Sequence, residues 1–336
     1  AAASDGYRLL LESARWADEH GFEAVWTPER HFHAFGGAYP NPSVTGAALA
    51  AVTERVAIRA GSVVAPLHQP ARIAEEWAVV DNLSKGRVGI SFAPGWQPND
   101  FVLNPTAYAT ARDSLSTTID TIRSLWRGET VELPGHDGAP VPVSTLPRPA
   151  QAELPVWLTS AGTPATFERA GTMGVNLLTH LLGQSHEQLA ENINRYRSAW
   201  RAAGHDGEGH VTLMLHTFLA DSAEEARRTA REPLKQYLST ATGLIKNMAS
   251  AFPTFAGRNG TSADEAFRDL TDDELGQLLE MAADRYLETS GLFGTVDDAV
   301  ATIETCRASG VDEVACLIDF GVDDDVVLQS LPLLGR

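Results

Sequence analysis

Phe22-Glu23-Ala24-Val25-Trp26-Thr27-Pro28-Glu29-Arg30-His31-Phe32-His33-Ala34-Phe35-Gly36 is a short apolar run that ends in a cluster of titratable side chains. Residues 22–27 have the length and composition of a buried strand, and a proline closes it. Before it, Tyr7, Leu10, Leu11, Ala14 and Ala17 recur at helical spacing, with Ser4 or Asp5 as the expected cap and Gly21 after the end. One strand end therefore releases a carboxylate, a guanidinium and two imidazoles together. In a parallel α/β barrel, that end of the strand faces the active site.

The same alternation continues outward. Strands are predicted at 56–64, 88–93, 156–161, 175–181, 211–220 and 314–320, and helices at 44–53, 71–82, 110–126, 164–170, 187–203, 297–309 and 324–334. Residues 128–149 are proline-rich and read as irregular. Seven short apolar strands between helices imply a buried parallel sheet, and the expected fold class is α/β, a (β/α)8 TIM barrel. An open doubly wound sheet is the alternative, weakened because no Gly-x-Gly-x-x-Gly follows the first strand. The first helix starts too close to Ala1 for a strand to precede it, so the barrel's first strand is expected upstream of Ala1. Residues 1–336 read as a single domain, with a helical insertion at 223–292 before the last βα unit. That insertion carries Tyr237, Leu238, Leu244, Ile245, Met248, Phe252 and Phe255 and is too long for a simple connection. It is either a lid over the barrel mouth or a dimerisation or structural subdomain.

Composition narrows the function. The formal net charge of −18 disfavours nucleic acid, because phosphate neutralisation needs a basic surface. No window approaches the roughly 18 uninterrupted apolar residues of a membrane helix, and no secretory apolar region opens the chain. The two cysteines, Cys306 and Cys316, lie in apolar patterned segments and read as reduced core residues of a cytoplasmic protein.

Other strand ends also offer chemistry. At Leu158-Thr159-Ser160-Ala161-Gly162-Thr163-Pro164, a strand runs into small hydroxyl residues, then a helix start with Thr163 as cap and proline at the first position. This is either an ordinary capped helix or an anion site, with a phosphate as the natural guest. Gly61 and Ser62, in a run that ends at Pro66 and is followed by His68, either admit a flat ligand or satisfy a strand end that needs small residues. In Ala93-Pro94-Gly95-Trp96-Gln97-Pro98-Asn99-Asp100-Phe101, Trp96 either stacks on a ligand or packs at the core rim. Thr179 and His180 end a further strand. His31 and His33, with His180 and Asp319, would suit a metal hydrolase, but no ligand cluster at metal spacing supports this, and no metal is expected.

Taken in order, Trp26 to Phe32, Asn41-Pro42, Gly61-Ser62, Asp81-x-Leu83-Ser84-Lys85-Gly86-Arg87, Gly95 with Asp100-Phe101, and Ser160 with Thr163 resemble the bacterial luciferase-like flavin-dependent monooxygenases. The Glu-Arg-His-Phe-His and Gly-Trp-x-Pro-Asn-Asp-Phe signatures are most similar to the subgroup of polyketide and nonribosomal peptide assembly lines, as in mupirocin-type pathways. The resemblance implies a TIM barrel that binds reduced FMN at the C-terminal strand ends. The FMN phosphate would lie at Ser160, Ala161, Gly162 and Thr163. The ring would lie against Gly61, Ser62, Val63, Ala93 and Gly95, with Thr179 and His180 nearby. A non-prolyl cis peptide would fall at Ser62-Val63 or Val63-Val64. The implied chemistry is hydroxylation by reduced FMN and O2 through a flavin C4a-hydroperoxide. The implied partners are a flavin reductase, an acyl or peptidyl carrier protein bearing the substrate, and a second copy of the chain in a homodimer. Luciferases carry Glu-His-His-Phe where this chain has Glu29-Arg30-His31-Phe32, so the catalytic set is expected among His31, His33, Arg30 and Glu29. The luciferase reactive cysteine is replaced by Ala93, and light emission is not expected. An F420-dependent dehydrogenase and a non-catalytic flavin-binding homologue are the alternatives.

Overall fold

The computed structural model describes residues 6–32, 38–240 and 272–336, divided into two compact units, 1–159 and 160–336. Ser4, Asp5, His33, Leu244, Ile245, Met248, Phe252 and Phe255 lie outside the described residues.

The first unit is built from α1 (Arg8–Glu19), β1 (Ala24–Thr27), α2 (Pro42–Ala50), β2 (Ala57–Val64), α3 (Pro70–Ser84), β3 (Val88–Ala93) and α4 (Ala111–Arg127). It continues with β4 (Val131–Pro134), β5 (Pro140–Val143) and β6 (Val156–Ser160), whose last residue opens the second unit. β1, β2, β3 and β6 pair in that order, all parallel, with Val25 opposite Ile58, Ile58 opposite Val88, and Ile90 opposite Val156. Every residue of β3 but the last is buried, the mark of a strand covered on both faces. Inside this sheet the Arg59 guanidinium lies over the rings of Trp157, at 4.6 Å, and Trp26, at 5.2 Å. Its charge is thus accommodated by aromatic faces in a buried position.

Loops are fastened by single charged side chains. Asp18, near the end of α1, accepts backbone N–H bonds from Glu54 (3.0 Å), Arg55 (2.6 Å) and Val56 (2.8 Å), fixing the approach to β2. The Asp81 to Arg87 signature is another such fastener. Lys85 (φ 61°) and Gly86 (φ 86°) turn the chain out of α3, and Arg87 donates to the carbonyls of Ser84 (2.7 Å), Thr53 (2.9 Å) and Val56. Asp81 accepts the backbone and side-chain N–H of Gln151, at 2.9 and 2.7 Å.

The second unit comprises α5 (Pro164–Met173), β7 (Asn176–His180), α6 (His186–Ala202), β8 (Val211–Leu219), α7 (Ala223–Thr240), α8 (Asp272–Thr289), β9 (Leu292–Gly294), α9 (Val296–Ala308), β10 (Glu313–Leu317) and α10 (Asp324–Leu334). β7, β8 and β10 are parallel neighbours, and β9 pairs with the end of β8 from Thr217 to Leu219. Both α6 and α9 begin in capping boxes, Ser185 with Gln188 and Thr295 with Asp298. Both cysteines are free thiols, and burial pushes that of Cys306 up to about 11.

All seven predicted strands form, with ends shifted by a few residues. Three features differ from expectation. Residues 128–149 contain the antiparallel hairpin β4–β5, with Val131 opposite Val143. The short strand β9 follows α8. The non-prolyl cis peptide lies at Gly61–Ser62, one bond before the expected pair of positions.

Candidate active site

Glu29 leaves β1 beyond Pro28 and turns inward. Its side chain has no exposed surface. Oε2 accepts the Val64 backbone N–H at 2.8 Å, which ties the loop after β1 to the end of β2. Oε1 faces two imidazoles, His31 Nε2 at 2.8 Å and His68 Nε2 at 2.5 Å. Burial works against a charged Glu29, but the donors on His31, His68 and Val64 outweigh it and hold the carboxyl below its usual range. Burial likewise opposes a charged His68, yet the Glu29 hydrogen bond and charge prevail and raise it. The three side-chain atoms lie within 4.8 Å of one another, the spacing of a candidate cation site, which is empty. The 2.8 Å separation is that of an N–H donor on a carboxylate oxygen, and the 2.5 Å one is shorter still.

Arg30 is half-buried, and its backbone N–H donates to the Tyr39 carbonyl at 2.9 Å. Asn41 caps α2, accepting from Ser43 and Val44 N–H at 2.9 and 3.3 Å, so the Asn41-Pro42 signature is a helix start.

The pairing of β2 with β3 shifts between Gly61 and Val63, leaving Ser62 as the extra residue of a bulge. The Ser62 hydroxyl bonds that of Thr159, which lies 2.6 Å from Ser91 Oγ. Gly95 has φ 84°, and a Cβ there would stand 3.0 Å from both Phe101 and Val64. Phe101 itself packs with Val64, Leu67 and Ala111. Gly95 and Phe101 of the signature thus shape the wall beside Val64, and Trp96 stays about half exposed.

In the second unit, Ser160, Ala161, Gly162 and Thr163 form the turn into α5. Thr163 occupies the cap position of α5, but its side chain makes no cap hydrogen bond, and Pro164 follows it. Gly162 has φ 105°, and a Cβ there would meet Gln184 at 3.3 Å. A buried polar chain supports the turn. Asn192 Nδ2 donates to the Gly162 carbonyl (3.2 Å) and to Gln184 Oε1 (3.3 Å), and Gln184 Nε2 donates to Thr179 Oγ1 (3.1 Å) and to the His180 carbonyl (2.7 Å). Gln184 and Asn192 thus join three of the sequence-predicted positions. His180 Nδ1 accepts the Leu182 N–H at 3.2 Å, and burial lowers its pKa to about 4. The ring is therefore neutral near pH 7, with its proton on Nε2. Also in this unit, His216 Nδ1 lies 2.8 Å from the Tyr286 hydroxyl and its ring packs edge-on to Tyr237 and Phe320. Sequence reasoning singled out neither His68 as a partner of Glu29 nor the roles of Gln184, Asn192 and His216. The only signal for His68 was its place just past the glycine-containing end of β2.

Comparison with known proteins gives the family. The model of the family "Luciferase-like monooxygenase" matches residues 1–313. The oxygenase component of a flavin-dependent trigonelline monooxygenase from Acinetobacter baylyi is 27% identical over 334 residues, 97% of this chain and 87% of that protein. 4-Hydroxyprotoasukamycin monooxygenase of Streptomyces nodosus subsp. asukaensis is 28% identical over 228 residues, 64% of this chain and 60% of that protein. Monooxygenase RslO1 of Streptomyces bottropensis superposes with a TM-score of 0.74 at 25% identity, covering 98% of this chain and 91% of that one. The FMN complex of the oxygenating constituent of 3,6-diketocamphane monooxygenase from Pseudomonas putida shares the fold, with a TM-score of 0.77 at 18% identity and coverage of 100% and 93%. An F420-dependent secondary alcohol dehydrogenase shares it at a TM-score of 0.68 and 17% identity, covering 97% of this chain and 93% of that one. The chain belongs to the luciferase-like monooxygenase family.

Proposed function

We propose that this enzyme is an FMN-dependent monooxygenase that receives reduced FMN from a separate reductase and inserts one atom of O2 into an organic substrate. The observation that carries the reading is the buried Glu29 carboxylate holding two imidazoles at adjacent strand ends, in a chain of this family. The naming of a relative as an oxygenase component supports the reductase. The residues fit the cofactor's chemistry. Thr163 at the start of α5 keeps a hydroxyl that caps nothing, Gly162 opens the turn, and a phosphate is the matching anion for Ser160, Ala161, Gly162 and Thr163. Gly61, Ser62, Val63, Ala93 and Gly95 are proposed to contact the ring, with Thr179 and His180 as further contacts. Bound reduced flavin would supply O2 activation, by the C4a-hydroperoxide route.

The chain's own residues do the remainder. His31, whose Nε2 faces Glu29, is the proposed group that takes a proton from substrate or returns one. Arg30 would hold an anionic group of the substrate, and His33 is the second proton-transfer candidate. Residues 223–292, of which 241–271 lie outside the described residues, would close over the site and exclude water. The proposed substrate is an acyl or aminoacyl group on a carrier protein, hydroxylated in natural-product biosynthesis, and the proposed assembly is a homodimer.

The rival is hydride transfer with F420, favoured only by the shared fold of the F420-dependent dehydrogenase. Anaerobic titration separates the two. Reduced FMN should bind more tightly than riboflavin, and both more tightly than F420. Tighter binding of F420, with no O2 consumption when reduced FMN is supplied, would replace the oxygenase reading with the reductase one.

A further inference from the structure

We propose that His68 is a positioning residue that keeps His31 an uncharged base, by taking the cation's place on the shared carboxylate of Glu29. His31 and His68 both direct Nε2 at the same oxygen, Oε1 of Glu29. One carboxylate carries one negative charge. Two imidazolium rings on it would leave a net positive charge in a buried site, which is disfavoured, so the pair shares a single excess proton.

Two observations assign that proton to His68. Its side chain is 29% exposed against 9% for His31, so a charge there loses less hydration. Glu76 on α3 adds a second negative charge toward His68. Among the described residues, Glu29 and Glu76 are the charges that act on His68, and Arg72 Nε is held by Glu76 at 2.6 Å. His33 lies outside the described residues. With the charge of Glu29 answered by His68, His31 keeps only Nε2–H, and its Nδ1 lone pair is available. A metal between the rings is the competing use of these atoms. Metal-bound imidazoles usually donate their other N–H to a second shell, and neither Nδ1 has a partner among the described residues.

The proposal rests on the oxygenase reading only for what His31 does with its proton. The state of His31 can be read without flavin or substrate. In protein with 13C-labelled histidine, the His31 ring signal is assigned by its loss in His31→Gln and titrated with pH in wild type, His68→Gln and His68→Lys. Glutamine keeps an N–H donor and removes the cation, and lysine restores a cation. The His31 midpoint should rise by about one pH unit, a tenfold gain in proton affinity, in His68→Gln and return toward the wild-type value in His68→Lys. An unchanged or lower midpoint in His68→Gln, or the same midpoint in both variants, would overturn the proposal. So would one equivalent of divalent metal in the purified wild-type protein that is lost in His68→Gln. If oxygenation is present, the acid limb of product formed per flavin oxidised should move up with the midpoint in His68→Gln. A midpoint that shifts in a protein that oxygenates nothing leaves the assignment of His68 standing and removes the oxygenase reading. The reverse pattern removes only the assignment.

Discussion

A carboxylate with no exposed surface stays ionised only when donors replace the water it has lost, and Glu29 has three, from His31, His68 and the Val64 backbone. The depressed carboxyl contributes stability that is present above about pH 4.5 and is lost as pH falls through its folded value. The raised imidazole of His68 contributes stability that is present below about pH 6.5 and is lost as pH rises through its folded value. Both are in place together at about pH 5–6. Replacing Glu29→Gln should therefore destabilise the protein most in that window, by about 3 kcal/mol, and less at pH 8–9, as urea unfolding at several pH values would show. A penalty that does not vary with pH would mean that the pair is not ionised. Glu29 and His31 were legible because they are two residues apart at a strand end. His68 was not, because only the pairing of β1 with β2 brings it to the same oxygen. Gly95 and Phe101 were legible as a motif, but their packing against Val64 was not.

The turn from β6 into α5 tests the account at the level of an element. A cap residue normally contributes about 1 kcal/mol by accepting an N–H bond, but the Thr163 side chain accepts none. Thr163→Ala should consequently change stability by less than about 0.5 kcal/mol. It should narrow the preference for FMN over riboflavin about tenfold, because a hydrogen bond to a charged phosphate is lost. Equilibrium binding of the two flavins checks this, and an unchanged ratio would remove Thr163 from the phosphate site. Helix and strand order was readable from apolar spacing because buried parallel strands are nearly all apolar, as in β3. The hairpin β4–β5 was hidden by Pro134, Pro140 and Pro142, which strands usually exclude but an isolated two-stranded ribbon tolerates. β9, Leu292–Gly294, is too short for any period to show. The capping box at Ser185 was visible only as Ser-x-x-Gln, and the polar chain through Gln184 and Asn192 joins residues from β7, α6 and the turn that no local pattern links.

For the whole molecule, family membership and the two parallel-stranded units fix the class of fold, and no helix among the described residues is long and apolar enough to cross a membrane. A charge of −18 disfavours nucleic acid as a partner. The proposed function requires that reduced FMN bound to this chain react with O2 in a protected setting. Stopped-flow absorbance tests it most directly. Protein loaded anaerobically with reduced FMN is mixed with oxygenated buffer while the flavin spectrum is followed. A spectrally distinct flavin–oxygen species that outlives the oxidation of free FMN many-fold is expected. Direct return to oxidised FMN at the rate of the free cofactor would contradict it.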